Sequence, residues 1–270
     1  MDEHTENDGD TNLQEILKLA EDVARKAGRI ILQYYQKSFD IERKDHNQSV
    51  TTADLEADHY LRETLLTAYP EYGWLSEETR DSTERLSKAR VWVVDPLDGT
   101  REFIHGIPEF VVSVGLVEKG QPILGVIYNP VTAEIFAAAT GVPTTYNGAP
   151  AQLTHKSGLA ESSILSSRTE QEHGLWQPYN RSFGEVKTSG SVAYKMALTA
   201  VGKADFFVSL KPKNEWDICA GDFLIRNCGG STLTRRGGII LYNSPDPFVP
   251  DGIVAGPQNL IDEAVQLFRP

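Results

Sequence analysis

The chain has 270 residues, with 38 acidic against 26 basic side chains and a formal net charge of -12, which allows a substantial core but leaves no basic face for a nucleic acid polymer or an anionic membrane. No apolar run approaches the ~20 residues of a membrane span, so no membrane insertion is expected. The two cysteines, Cys219 and Cys228, have neither zinc-like spacing nor the density of a disulfide scaffold, and both read as reduced.

Residues 1–11 hold almost nothing apolar and read as a disordered acidic lead-in. Their polarity is unlike a signal peptide, which points to a cytoplasmic protein. Over residues 12–35, Leu13, Ile16, Leu17, Ala20, Val23, Ala24, Ala27, Ile30 and Ile31 recur at helical spacing. A polar loop through Lys44, Asp45, His46 and Asn47 follows. Asp54 is expected to open a second helix carrying Leu55, Ala57, Tyr60, Leu61, Leu65 and Ala68. Trp74 and Leu75 read as a short strand that ends in Ser76-Glu77-Glu78.

The run Val91-Trp92-Val93-Val94 is β-branched and aromatic, as a buried strand should be, and it leads into Asp95-Pro96-Leu97-Asp98-Gly99-Thr100. Pro96 has no backbone N–H, so the strand is predicted to end at Asp95. Two carboxylates at the end of a buried strand repel each other, and desolvation raises the cost of ionising both unless a cation lies between them. Hard oxygen ligands select Mg or Ca. Gly99 permits a sharp turn, and Thr100 places a hydroxyl at a short helix start, where free N–H groups favour an anion. Taken alone, Asp-Pro and Asp-Gly pairs are equally ordinary turn formers.

Strands follow over residues 111–117, 122–128 and 133–139, separated by Glu118-Lys119-Gly120 and Asn129-Pro130, with a further turn at Asn147-Gly148. This is the pattern of an antiparallel meander. The second half alternates: strand 163–165, helix 191–201, strand 204–208, helix 217–227, short strands, and a last helix over 257–268. With no repeat or linker, residues 12–270 form one unit, an α+β half to about 150 and an α/β half from about 151, layered as an α/β sandwich.

Asp54, Glu77, the Asp95/Asp98 pair and Asp217 share one context, a carboxylate interrupting an apolar strand or helix terminus. Asp217 follows Trp216 and precedes Ile218-Cys219-Ala220-Gly221. A lone Asp there, or at Asp54, reads equally as a helix N-cap, and Glu77 beside Glu78 as a solvated acidic loop. Spacing alone does not bring these segments together.

A resemblance does. Residues 92–105 and 216–230 resemble, in order and separation, the two signature segments of the inositol monophosphatase family of lithium-sensitive, metal-dependent phosphatases, and the likeness runs from the first helix to the last. It implies an α-β-α-β-α sandwich of the sugar phosphatase type. It makes Glu77, Asp95, the Leu97 carbonyl, Asp98 and Asp217 the ligands of two or three Mg ions, with Asp95 bridging two. Thr100 and Asp54 resemble the pair that orients and deprotonates the attacking water, with Glu77 nearby, and the N–H groups of Gly99 and Thr100 hold phosphate oxygens. The implied substrate is a small phosphorylated metabolite, and family members are often homodimers. Phe223 departs from the second signature, where a smaller aliphatic or proline is usual; this bears on helix packing.

Within the family, Arg101-Glu102-Phe103 after Thr100, and Ser166-Ser167-Arg168 after a strand, resemble the bacterial-type 3'(2'),5'-bisphosphate nucleotidase branch. Leu210 stands seven residues before Asp217, where the inositol enzymes place a hydroxyl-binding glutamate. Losing that acceptor removes a charge-assisted hydrogen bond worth roughly 1.5 to 3 kcal/mol. Arg168, Lys211 and Lys213 are then candidates for a second phosphate, although each also reads as ordinary surface charge. An inositol monophosphatase or broad-range sugar phosphate phosphatase is the alternative, a histidinol phosphate phosphatase a lesser one, and a metal-stabilised binding protein without turnover the alternative of another class.

Overall fold

The computed structural model describes residues 8–37, 41–43 and 49–270. The first helix, α1 (Asp8–Leu32), starts ahead of the expected residue 12. The rest of the expected lead-in, residues 1–7, and the expected loop at 44–47 lie outside the described residues. A short antiparallel pair, β1 (Ile41–Arg43) and β2 (Ser49–Thr51), precedes α2 (Thr52–Ala68). Asp54 does not open α2 as the sequence suggested. Thr51 is the N-cap, and Asp54 lies at the third helical position, where its carboxylate returns to the Thr51 backbone in a capping box.

Seven strands form the first sheet in chain order: β3 (Gly73–Ser76), β4 (Arg90–Asp98), β5 (Val111–Glu118), β6 (Gln121–Asn129), β7 (Glu134–Ala139), β8 (Val142–Tyr146) and β9 (Ala149–Pro150). The β3 and β4 pair is parallel and the rest antiparallel, so the expected meander is present. Asn147 and Gly148 both take positive φ, as the tight hairpin between β8 and β9 requires. The prediction that β4 stops at Asp95 is corrected. The register shifts between Asp95 and Asp98, and Asp98 pairs again with Val111, so Pro96 sits in a bulge where no donor is needed. After Gly99 comes the short helix α3 (Thr100–Ile104).

The second half runs β10 (Ser163–Ser167), α4 (Arg168–Glu172), β11 (Glu185–Ser189), α5 (Val192–Ala200), β12 (Phe206–Ser209), β13 (Lys213–Asn214), α6 (Glu215–Asn227), β14 (Gly230–Thr234), β15 (Phe248–Val249), β16 (Ile253–Pro257) and α7 (Ile261–Phe268). Its five-stranded sheet has the order β11-β10-β12-β16-β14, parallel across the first three and antiparallel thereafter. The last helix is shorter than predicted, because Pro257 belongs to β16.

Side-chain alternation along each strand decides the layers. Trp92 and Val94 bury one face of the first sheet against Ile16, Ala20, Ala24 and Leu61 of α1 and α2. Val91 and Val93 bury the other against Met196, Ala197, Ile218 and Leu224 of α5 and α6, and the same helices cover Leu165, Phe207 and Ala255 of the second sheet. Ile164, Phe206 and Val254 then meet α7 through Ile261, Ala264 and Phe268. The result is the α-β-α-β-α sandwich. Phe223 is buried in the middle layer, consistent with a packing role. Among the described residues no helix is long and apolar enough to cross a membrane.

Candidate active site

A cleft of about 610 Å³ opens where the bulged end of β4 meets the starts of α5 and α6. Its acidic wall is assembled from three elements. Glu77 follows β3 directly, and its backbone N–H donates to the Val94 carbonyl at 3.3 Å, which ties it to β4. Asp95 stands at the bulge, where its Oδ1 accepts from the Leu97 N–H at 3.0 Å. Asp217 is the third residue of α6 and closes a capping box with Asn214, whose N–H lies 3.0 Å from Oδ2. Asp217 is therefore not the N-cap. One carboxylate oxygen from each of Glu77, Asp95 and Asp217 lies within 4.8 Å of the others.

Asp98 lines the same cleft beside this trio, with Oδ2 accepting from Ser191 Oγ at 2.6 Å and from the Ala193 N–H at 2.5 Å at the start of α5. Leu97, Gly99 and Thr100 also line it. Gly99 has φ +102, and a Cβ there would stand 2.9 Å from the Glu109 carbonyl oxygen, so only glycine fits this corner. Thr100 Oγ1 is 3.1 Å from Asp54 Oδ1 and 3.2 Å from the Leu97 carbonyl. Asp54 is buried behind the wall, and the structure brings it to the site through Thr100.

Burial raises the cost of every charge here. Desolvation, then repulsion from Glu77, Asp98 and Asp217, pushes the Asp95 carboxyl well above the usual range. Desolvation pushes Asp217 up to about 6 against the opposing pull of Lys213. Asp98 and Asp54 are raised by burial as well, despite the hydrogen bonds they accept. Buried carboxylates that repel one another are relieved by a divalent cation, and an all-oxygen donor set fits a hard one. Glu77, Asp95 and Asp217 thus have the chemistry of a metal site.

Cationic side chains line the same cleft. Arg168 begins α4 and lines the cleft, with Nη2 2.6 Å from Glu109 Oε2 and Nε 3.9 Å from Glu102 Oε1. Lys213 lines it too, while Lys211 is exposed outside the lining residues, its Nζ 3.5 Å from His173 Nδ1. Leu210 is also outside the cleft. It packs against the apolar cluster under α7, so the inference drawn from a missing glutamate at that position falls. Sequence reasoning missed Lys195, which donates to the carbonyls of Ser189 and Gly190 at 3.1 Å and of Ser191 at 2.6 Å. Burial pushes its pKa down to about 8, partly opposed by Asp98. A lysine flanked by Tyr194 and Met196 inside an apolar helix was the available signal. Arg101 was noted only as a branch feature; here it joins the two halves, with Nη1 2.6 Å from Thr169 Oγ1 and Nη2 2.9 Å from Glu172 Oε2.

The profile of the inositol monophosphatase family matches residues 12–269. The chain is similar to a 3'(2'),5'-bisphosphate nucleotidase CysQ of Shigella flexneri, 33% identical over 234 residues that cover 85% of this chain and 95% of that one. It is similar to inositol monophosphatase 2 of Solanum lycopersicum, 30% identical over 236 residues covering 83% and 89%. Among solved structures it resembles the extragenic suppressor protein suhB from Bartonella henselae, with a TM-score of 0.81, 26% identity, and coverage of 94% of this chain and 98% of that one.

Proposed function

The chain belongs to the inositol monophosphatase family and is a metal-dependent phosphatase, and we propose that it removes the 3'-phosphate of adenosine 3',5'-bisphosphate with Mg. The charge balance of the cleft carries this reading. Five carboxylates and four cationic side chains line it, so a pair of divalent ions turns its net charge positive. A substrate with one phosphate satisfies the metal wall alone. A bisphosphate also meets Arg168 and Lys213, which line the same cleft.

The residues divide the work as follows. Glu77, Asp95, the Leu97 carbonyl, Asp98 and Asp217 hold the Mg ions, which when bound polarise the phosphoryl oxygens and offset the charge of the leaving oxygen. The N–H groups of Gly99 and Thr100 hold phosphate oxygens. Thr100 Oγ1 donates to Asp54 and accepts a hydrogen bond from the attacking water, whose proton passes through the hydroxyl to Asp54. Burial raises the Asp54 pKa and so favours the protonated product of that transfer. Glu77 orients the same water from the other side. Arg168, already shared with Glu109, anchors the second phosphate by exchanging a partner rather than by paying to order a free side chain.

The likeness to an inositol monophosphatase favours a second reading, hydrolysis of inositol 1-phosphate. Turnover of the two substrates side by side with Mg separates them. The expected kcat/KM is roughly tenfold or more higher for adenosine 3',5'-bisphosphate, the value of one charge-assisted contact. Arg168→Ala or Lys213→Ala should raise KM for the bisphosphate more than for a monophosphate. A wild-type preference for inositol 1-phosphate, or equal KM effects, sinks the nucleotide reading.

A further inference from the structure

The helix α2 carries a second buried carboxylate one turn beyond Asp54. Asp58 lies at the i+4 position, on the same helical face, and is 7% exposed. Its two oxygens are taken by hydroxyls at the end of β3 and in the turn after it: Ser76 Oγ donates to Oδ1 at 2.5 Å and Thr79 Oγ1 to Oδ2 at 2.6 Å. Thr79 Oγ1 in turn accepts from Trp74 Nε1 at 3.3 Å, and Ser76 closes the β3 register opposite Val94. Between these two anchored residues stands Glu77.

Carboxylates at i and i+4 oppose helix stability, and burying one away from water costs more. A loop that needed only to turn has no use for that cost. We infer that Asp58 is a positioning residue for the metal wall: it pins the loop on both sides of Glu77 and so sets the direction of that carboxylate toward Asp95 and Asp217. One rigid helix then serves both flanks of the reacting water. Asp54 holds Thr100 on one side, and Asp58 holds the Glu77 loop on the other. The inference rests on the proposed role of Glu77 as a metal ligand.

The test measures Mn and Mg binding by calorimetry, independent of turnover, on wild type, Asp58→Ala, Asp58→Asn, the double variant Ser76→Ala/Thr79→Val, and Glu77→Gln. Removing a hydrogen-bond partner of a ligand-bearing segment weakens metal binding about tenfold. Asp58→Ala and the double variant should show that loss alike, while Asp58→Asn, which keeps one acceptor oxygen and the shape, recovers most of it. A folded Asp58→Ala with a lower melting temperature and unchanged metal affinity overturns the inference, because that is the signature of a merely structural carboxylate. If Asp58→Ala does not fold, the double variant decides in the same way. Weakened binding in Glu77→Gln with none in the Asp58 and loop variants defeats this inference alone; unchanged binding in Glu77→Gln defeats the ligand role of Glu77 as well.

Discussion

At Asp95 burial and four neighbouring carboxylates act on one side chain, and an Asn there keeps the shape while removing the charge. Asp95→Asn and Asp217→Asn should each lower Mg-dependent turnover at least about a hundredfold, read from initial rates across a Mg titration. Without metal the same variants should melt higher than wild type, because a repulsion has been removed; for a chain of this size each kcal/mol moves the midpoint by about 2 to 4 °C. Near wild-type turnover in either variant at saturating Mg is incompatible with the ligand assignment. Thr100 separates from these two. Thr100→Val removes the hydroxyl that faces Asp54, so kcat should fall about a hundredfold with Mg affinity little changed, and Thr100→Ser should restore most of it. A Thr100→Val variant that loses metal binding instead would make Thr100 a ligand-loop residue rather than a proton relay.

Glu134, at the start of β7, ties three elements together by accepting from Tyr146 of β8, Tyr194 of α5 and Lys203 beyond α5. Burial alone would raise its pKa, but the bonds from Lys203, Tyr194, Tyr146 and Thr132 outweigh this and bring it down to about 2. A carboxyl whose folded pKa lies below its unfolded value stabilises the fold fully above the unfolded pKa of 4.5 and loses that contribution as pH falls toward 2. Glu134→Gln should therefore destabilise at pH 7, by on the order of 2 to 3 kcal/mol, and the gap to wild type in urea melts should close between pH 4.5 and 2. A gap that is independent of pH would mean the ion pair contributes nothing. The helices and the meander were legible because their apolar periods of 3.6 and 2 fix which face is buried, as at Leu61 or Val93. The end of β4 was misjudged because a bulge, which depends on Val111 across the ladder, let the strand absorb Pro96. Short α4 and polar β11 carry no period of their own and take their shape from β10 beside them. At the site, the signature segments gave the carboxylates, but they did not give Lys195 or the packing of Leu210 against the cluster under α7, since both follow from how α5 and α7 pack.

The two sheets share one middle layer and line one cleft, so on the proposed ligand assignment metal binding and the packing of the whole molecule are coupled. Glu77 directly follows β3 and Asp95 lies in β4 of the first sheet, whereas Asp217 belongs to α6, which lies between the sheets. The approach of α6 is close: a Cβ on Gly115 would stand 2.6 Å from Cys219 Sγ, and one on Gly125 would meet the Ala220 carbonyl oxygen. Because these obstacles include backbone, Gly125→Ala should push α6 away, lower the melting temperature and weaken Mg binding together. Gly158→Ala, with open space at the site, should do neither. On the proposed ligand assignment, a bound Mg ion would link the first sheet to α6. A ligand that binds only the folded state at about 100 times its Kd stabilises by about 2.7 kcal/mol, which for this size corresponds to a rise of about 5 to 10 °C. Saturating Mg should therefore raise the wild-type melting temperature in scanning calorimetry, a chelator should reverse the rise, and Asp217→Asn should lose most of it because only the first half still contributes ligands. A wild-type midpoint indifferent to Mg, or an Asp217→Asn midpoint that shifts as far as wild type, would show that the cation does not bridge the halves and would confine it to the end of β4.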